Sequence, residues 1–254
     1  MSNQSEMKRS TKHLETTARM KELLPSFFSR GSEDDKKQKV AWCMVGISTE
    51  LLKAFNLEWE WPENFGTLCA SKLVAPKFIE VAEGEGYSPE LCSYVTNTMG
   101  FCKRYRDLKG SPPELDRLRA MRRPSFMLGS GVTCEPRYKW FQSVATRYFN
   151  VPIHSCDPLG PPWDVDLDDP KIEEHYVEQL RRDLHGQIAF LEDQTGEKLD
   201  RNRLREILEL SQNALWYWHQ VLQMRKTVPS PMGSTDYFQA IIPQMYMLGE
   251  QEAV

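Results

Sequence analysis

Two periodicities of apolar and polar positions alternate along the first two thirds of the chain. Residues 39–47, KVAWCMVGI, are rich in β-formers and predict a strand. Ser48 then stands in N-cap position before TELLKAFN, with Glu50 in the first turn where the helix dipole favours a carboxylate. LEWEW reads as a short second strand, and Pro62 opens a helical stretch that contains Cys69. Residues 75–106 read as helix in two pieces broken at GEGYSPE, where Ser88 is placed to cap and Pro89 suits the first turn; Cys92 then falls in the first turn of its helix. PSFMLGS predicts a further strand, CEPRYKWFQSVATRYFN a helix and VPIHSC a strand.

Strands that alternate with helices predict the α/β class, a Rossmann-like layer with a largely parallel sheet. The flanks differ. Leu14, Met20, Leu23, Leu24 and Phe27 fall at helical spacing before the charged RGSEDDKKQ. After the breaker-rich DPLGPPWDVDLDDP, Val177, Leu180, Leu184, Ile188 and Leu191 keep one helical face apolar. QTGEKLD makes a turn, and Leu204, Leu208, Ser211, Leu215, Trp218 and Leu222 follow at heptad spacing, so a long helical hairpin is appended to the sheet layer. The expected organisation is an N-terminal helical segment, 1–36, an α/β domain, 37–162, and a hairpin with the start of a second α/β domain, 163–254.

Composition narrows the function classes. The net charge of -4 points to neither nucleic acid nor an anionic membrane as a partner. The first twenty residues lack the apolar core of a signal peptide, and no run approaches a membrane span, so a cytoplasmic protein is expected. In a reducing compartment the six cysteines are thiols or metal ligands rather than disulfides.

Two of those cysteines have special settings. Cys134 lies just beyond a predicted strand, where ligands gather in open α/β sheets, and it precedes a helix. Cys92 also stands at a helix start, and the partly positive end of a helix favours a thiolate, the form that binds metal. Two such thiols can share one centre. They can equally be small buried hydrophobes, since there is no compact C-x-x-C pair, or Cys134 can be a nucleophile that uses His154 as its base.

Longer stretches carry a resemblance. GYSPELCSYVTNTMGF, LGSGVTCEPRYKWFQSVATRYFNVPIHSCD and the segment from QLRRDLHGQIAFLEDQTGEKLD to the Trp-rich ALWYWHQVLQMRKTVPSPMGSTDYF resemble the benzoyl-CoA reductase and 2-hydroxyacyl-CoA dehydratase family. Within it, the C-terminal stretch is most similar to the B-type iron-sulfur subunit of ATP-dependent benzoyl-CoA reductases. The resemblance implies a 4Fe-4S cluster held by three cysteines, with Cys92 and Cys134 matching the first two ligands. The third would come from a C-terminal α/β domain beyond Val254. It implies a homologous second cluster subunit, ATP-hydrolysing electron-activating subunits and, indirectly, ferredoxin as partners.

The implied reaction is dearomatisation of benzoyl-CoA to a cyclohexadiene-carbonyl-CoA by low-potential single electrons, in anaerobic aromatic degradation. The thioester carbonyl lowers the barrier by delocalising the added electron, and a dry cavity shields the radical. The alternatives are a 2-hydroxyacyl-CoA dehydratase subunit, where a similar cluster starts a radical dehydration, and a non-catalytic partner subunit. In this setting residues 103–123, with eight Lys or Arg against three Asp or Glu, read either as a solvated connection or as a surface for CoA phosphates or an acidic partner.

Overall fold

The computed structural model describes residues 14–28, 38–115, 118–131, 134, 136–156, 166 and 168–254. The charged loop after Arg30 and most of the breaker-rich stretch before Pro170 lie outside them. The chain divides into two compact units, residues 33–205 and residues 1–32 with 206–254.

The larger unit is built on four parallel strands, β1 Val40–Cys43, β2 Glu58–Glu60, β3 Phe126–Ser130 and β4 Ile153–Cys156, in the order β2-β1-β3-β4. Helix α2, Thr49–Ala54, joins β1 to β2. Three helices follow β2: α3 Pro62–Ser71, α4 Ala75–Gly84 and α5 Ser93–Leu108; α6, Pro136–Val144, then links β3 to β4. Because β1 connects onward to one side and β3 to the other, the strand order reverses between them, and the crevice outside the carboxyl ends of β1 and β3 is the place where such sheets bind ligands.

Alternation along the strands assigns the two faces. Val40, Trp42 and Met127 join Phe65, Phe78, Phe101, Phe141 and Phe149 in one core beneath the helices α3 to α6. Trp42 meets Phe149 edge-on at 5.3 Å, and Phe101 lies 4.7 Å from Phe65 and 5.9 Å from Phe78. On the other face Phe126 meets Phe190 of α7, Pro170–Thr195, at 5.7 Å. Helices α4 and α5 cross so closely that a Cβ on Gly100 would lie 1.8 Å from the Phe78 carbonyl oxygen. Glycine at mid-helix is therefore required by the packing, despite a propensity cost of about 1 kcal/mol.

Two local expectations change. Ser88 does not cap α5: its hydroxyl accepts from the Glu90 N–H at 3.2 Å and its carbonyl from Leu91, closing a turn, and the helix begins at Ser93. Cys92 is thus the N-cap residue, just outside the first turn, and its carbonyl accepts the N–H groups of Val95 and Thr96.

Four cations of the basic segment are engaged within the fold. Arg122 is buried and pairs with Glu60 at the end of β2 (2.9 Å), while its carbonyl takes the indole N–H of Trp42 (2.8 Å). Arg119 also donates to Glu60 (2.9 Å), Arg104 to Glu114 (2.7 Å), and Arg123 to the Phe149 carbonyl (2.8 Å). These cations brace the sheet edge and the single π-turn, Ala145–Phe149, that ends α6.

Helix α7 ends on Gly196 in the left-handed region (φ 77°), and Asp200 accepts from Asn202 and Arg203 at the start of α8, Arg201–Met224. On α8 the buried residues are Ile207, Ser211 and Ala214, whereas Leu208 and Leu215 are 46% and 47% exposed. Of the heptad positions Ser211 is buried, and the stripe turns from it toward Ile207 and Ala214 rather than toward Leu208 and Leu215.

In the smaller unit, α1 (Glu15–Phe28) lies against α9 (Ser234–Tyr246). The buried Asp236 carboxylate accepts from the Thr17 hydroxyl (2.6 Å) and the Leu14 N–H (3.3 Å), which caps α1 from a residue near the other end of the chain. Trp218 of α8 stacks on Tyr237 of α9 at 5.5 Å, and the Arg225 guanidinium lies 4.1 Å from that ring.

Candidate functional site

Burial separates the six thiols into two groups. Cys43, Cys69 and Cys102 are fully buried and Cys156 nearly so, while Cys92 and Cys134 are exposed. Desolvation disfavours a thiolate. It holds Cys43 and Cys102 well above the usual thiol range and pushes Cys69 and Cys156 up to about 11, the nearby Asn97 amide offsetting part of the effect at Cys69. The buried four are protonated packing groups at neutral pH. Cys156 faces α7, and its Sγ donates to Gln187 Oε1 at 3.1 Å.

The two exposed cysteines each stand just before a helix, Cys92 at α5 and Cys134 at α6. Cys134 follows β3 and precedes α6, its carbonyl accepting the Arg137 N–H at 3.1 Å. From the first turn of α6, Arg137 reaches two elements at once: its guanidinium donates to Glu63 at the start of α3 (2.6 Å) and to the Val45 carbonyl just past β1 (3.1 Å). The Val45 N–H donates back to the other Glu63 oxygen at 2.9 Å. One turn along α3 from Glu63, the Thr67 and Tyr94 hydroxyls meet at 3.2 Å, and Tyr94 lies in the first turn of α5, beside Cys92. The Tyr94 ring sits over Gly66, where a Cβ would lie 2.8 Å from its Cδ1. A series of contacts thus runs from Tyr94, two residues after Cys92, through Thr67, Glu63 and Arg137 to the Cys134 carbonyl.

Glu63, Thr67, Tyr94 and Arg137 were not singled out from the sequence. They carry no motif, and only the fold brings residues so far apart in the chain into contact. His154, the suggested base for a nucleophilic Cys134, is engaged elsewhere: it lies on the α7 face of β4, stacked on Phe190 at 5.4 Å and against Gly186, and burial lowers its pKa. Among the described residues no three His, Cys, Asp or Glu side chains converge as a metal-binding group.

The sequence profile of the family described as 2-hydroxyglutaryl-CoA dehydratase, D-component, matches residues 44–254. The chain belongs to this family. Among curated relatives, the (R)-phenyllactyl-CoA dehydratase alpha subunit of Clostridium sporogenes is 23% identical over 86% of this chain and 50% of its own length. The alpha subunit of lactoyl-CoA dehydratase from Anaerotignum propionicum is 23% identical over 86% of this chain and 52% of its own. A B-type benzoyl-CoA reductase subunit from Thauera aromatica is 26% identical over 84% and 47%. The chain spans about half the length of these relatives. No helix among the described residues is long and apolar enough to cross a membrane.

Proposed function

We propose that this chain forms the cluster-bearing half of a 2-hydroxyacyl-CoA dehydratase subunit that works in a heteromeric complex. The carrying observation is the partition of the thiols: Cys92 and Cys134 alone among the six cysteines are exposed, and each stands just before a helix. The family and the dehydratase alpha subunits among the relatives support that reaction class over reduction of an aromatic ring, the reaction to which the C-terminal resemblance points.

Cys92 and Cys134 fit two thiolate positions of a 4Fe-4S cluster, and the third thiolate is assigned to a segment beyond this chain. When bound, such a cluster supplies single low-potential electrons to an acyl-CoA thioester. The chain's own contribution is placement. Two helix starts carry the exposed thiols, and the Glu63–Arg137 pair ties the start of α3 to the start of α6 and to Val45 beyond β1.

The partners in this reading are a homologous second subunit and an ATP-hydrolysing electron activator. Ring reduction remains the second reading, carried by the 26% identity with the benzoyl-CoA reductase relative. Electron stoichiometry separates the two, because a dehydratase needs electrons and ATP only to prime the reaction whereas a reductase consumes them at every turnover.

The ligand assignment is tested on the protein purified without oxygen together with its partner subunits. Replacing Cys92 or Cys134 by Ser is expected to lower the iron and acid-labile sulfide that each copy of the chain carries, because serine is hardly ionised at neutral pH and is the poorer iron ligand. Iron content equal to the unmodified protein in both variants would remove the assignment.

A further inference from the structure

We infer that one face of α3, formed by Glu63, Gly66 and Thr67, is the template that sets the separation and orientation of Cys92 and Cys134. This rests on the proposed role of those two cysteines as ligands of one centre, and it adds positioning residues that carry no thiol.

The three residues stand at i, i+3 and i+4, so they share one face of the helix. Each meets a segment that bears a cysteine. Glu63 grips the α6 side: its carboxylate accepts from Arg137 at 2.6 Å and from the Val45 N–H at 2.9 Å, with Arg137 bridging back to the Val45 carbonyl at 3.1 Å. Both side chains of the pair are largely buried, 12% and 17% exposed, so the contact is a charge-assisted bond shielded from water rather than a mobile surface pair. Gly66 and Thr67 grip the α5 side. The missing Cβ of Gly66 makes the seat for the Tyr94 ring, and the Thr67 hydroxyl meets the Tyr94 hydroxyl at 3.2 Å, fixing both ends of a side chain that is otherwise 41% exposed.

A buried glycine inside α3 is unfavourable for the helix by about 1 kcal/mol relative to alanine, and the Tyr94 ring is what requires it. Since Tyr94 sits in the turn that Cys92 caps, and Arg137 in the turn that follows Cys134, a rigid helix between them ties the two thiols to one frame. Centres built from distant segments need such support, because the geometry of the ligating groups has to be held within about 0.5 Å.

The buried state of the other four cysteines makes a direct test feasible. A thiol-specific spin label added to the native 254-residue chain is directed to Cys92 and Cys134, and double electron-electron resonance then reads the distance between them. The expected result is one narrow distance in the unmodified chain and a distribution shifted or about twofold broader in Glu63→Gln and in Gly66→Ala, with unchanged far-UV circular dichroism.

Thr67→Val, which keeps the shape and removes the hydroxyl, is expected to give a smaller change in the same direction. Should Gly66→Ala fail to fold, Glu63→Gln carries the test, and a distribution identical to the unmodified chain in that variant overturns the inference. Iron uptake by the complex is measured separately. A shifted distance in Glu63→Gln together with an iron-free unmodified complex would retain the template and discard the cluster.

Discussion

A thiol reagent such as iodoacetamide, added to the native chain at neutral pH, is expected to modify Cys92 and Cys134 and spare the rest. The reason is access and ionisation together: Cys69 and Cys156 are held up to about 11 by desolvation, and Cys43 and Cys102 are raised as well. Peptide mass spectrometry checks it, and rapid labelling of Cys69 would contradict the burial. The same shift has a sign for stability. A thiol whose folded pKa exceeds its unfolded value keeps its proton longer when folded, so its contribution is complete below the ordinary value of 9.0 and is lost as pH rises toward about 11. Thermal melts across that window are expected to fall with pH. At this scale the sequence marked the two exposed cysteines through their place beside strand and helix signals, but it said nothing of Glu63 or Tyr94, whose significance lies in contacts between elements.

Among elements, the parallel strands were legible because each is a short apolar run bounded by turn or helix signals, and the alternation with helices implies the crossovers. The helix starts were less legible. Ser88 offers a hydroxyl that suits a turn as well as a cap, and local sequence does not decide between them. The basic run 103–123 shows the same limit, since the carboxylates that neutralise Arg119 and Arg122 sit on β2, far away in sequence.

Three substitutions test this packing. Arg122→Ala removes one of the two guanidinium groups that hold the buried Glu60, leaving Arg119, and is expected to destabilise by about 1.5 to 3 kcal/mol, whereas Arg147→Ala, at a pair whose arginine is 47% exposed, is expected to change stability by about 1 kcal/mol or less. Gly100→Ala forces α4 and α5 apart at the Phe78 carbonyl and is expected to lower stability by roughly 1 to 3 kcal/mol. Denaturant unfolding curves of the three variants rank them, and a melt for Arg122→Ala equal to that of Arg147→Ala would restore the reading of this segment as a surface.

At the scale of the whole molecule the sequence suggested long C-terminal helices and an apolar face on each, and on α8 that face is only partly the buried one. Heptad spacing picked Leu208, Ser211 and Leu215; of these Ser211 is buried, together with Ile207 and Ala214, which the spacing left out, while Leu208 and Leu215 are nearly half exposed. The pairing of α1 with α9 through Asp236 was equally hidden, since the partners lie at opposite ends of the chain.

The corrected seam gives the last prediction. Ile207→Ala removes a buried side chain and is expected to destabilise the chain by ~2 to 5 kcal/mol, while Leu215→Ala, nearly half exposed, is expected to leave its melting temperature almost unchanged. Leu215 shares one stripe of α8 with Leu208, seven residues earlier and also exposed, and a leucine stripe of this kind suits packing against another apolar surface. In the heteromer proposed for this chain, Leu215→Ala is then expected to weaken association with the homologous partner. Sedimentation of the co-expressed proteins measures that loss and the thermal scan measures the other. Association as tight as that of the unmodified pair would show that the exposed face of α8 is not where the partner docks.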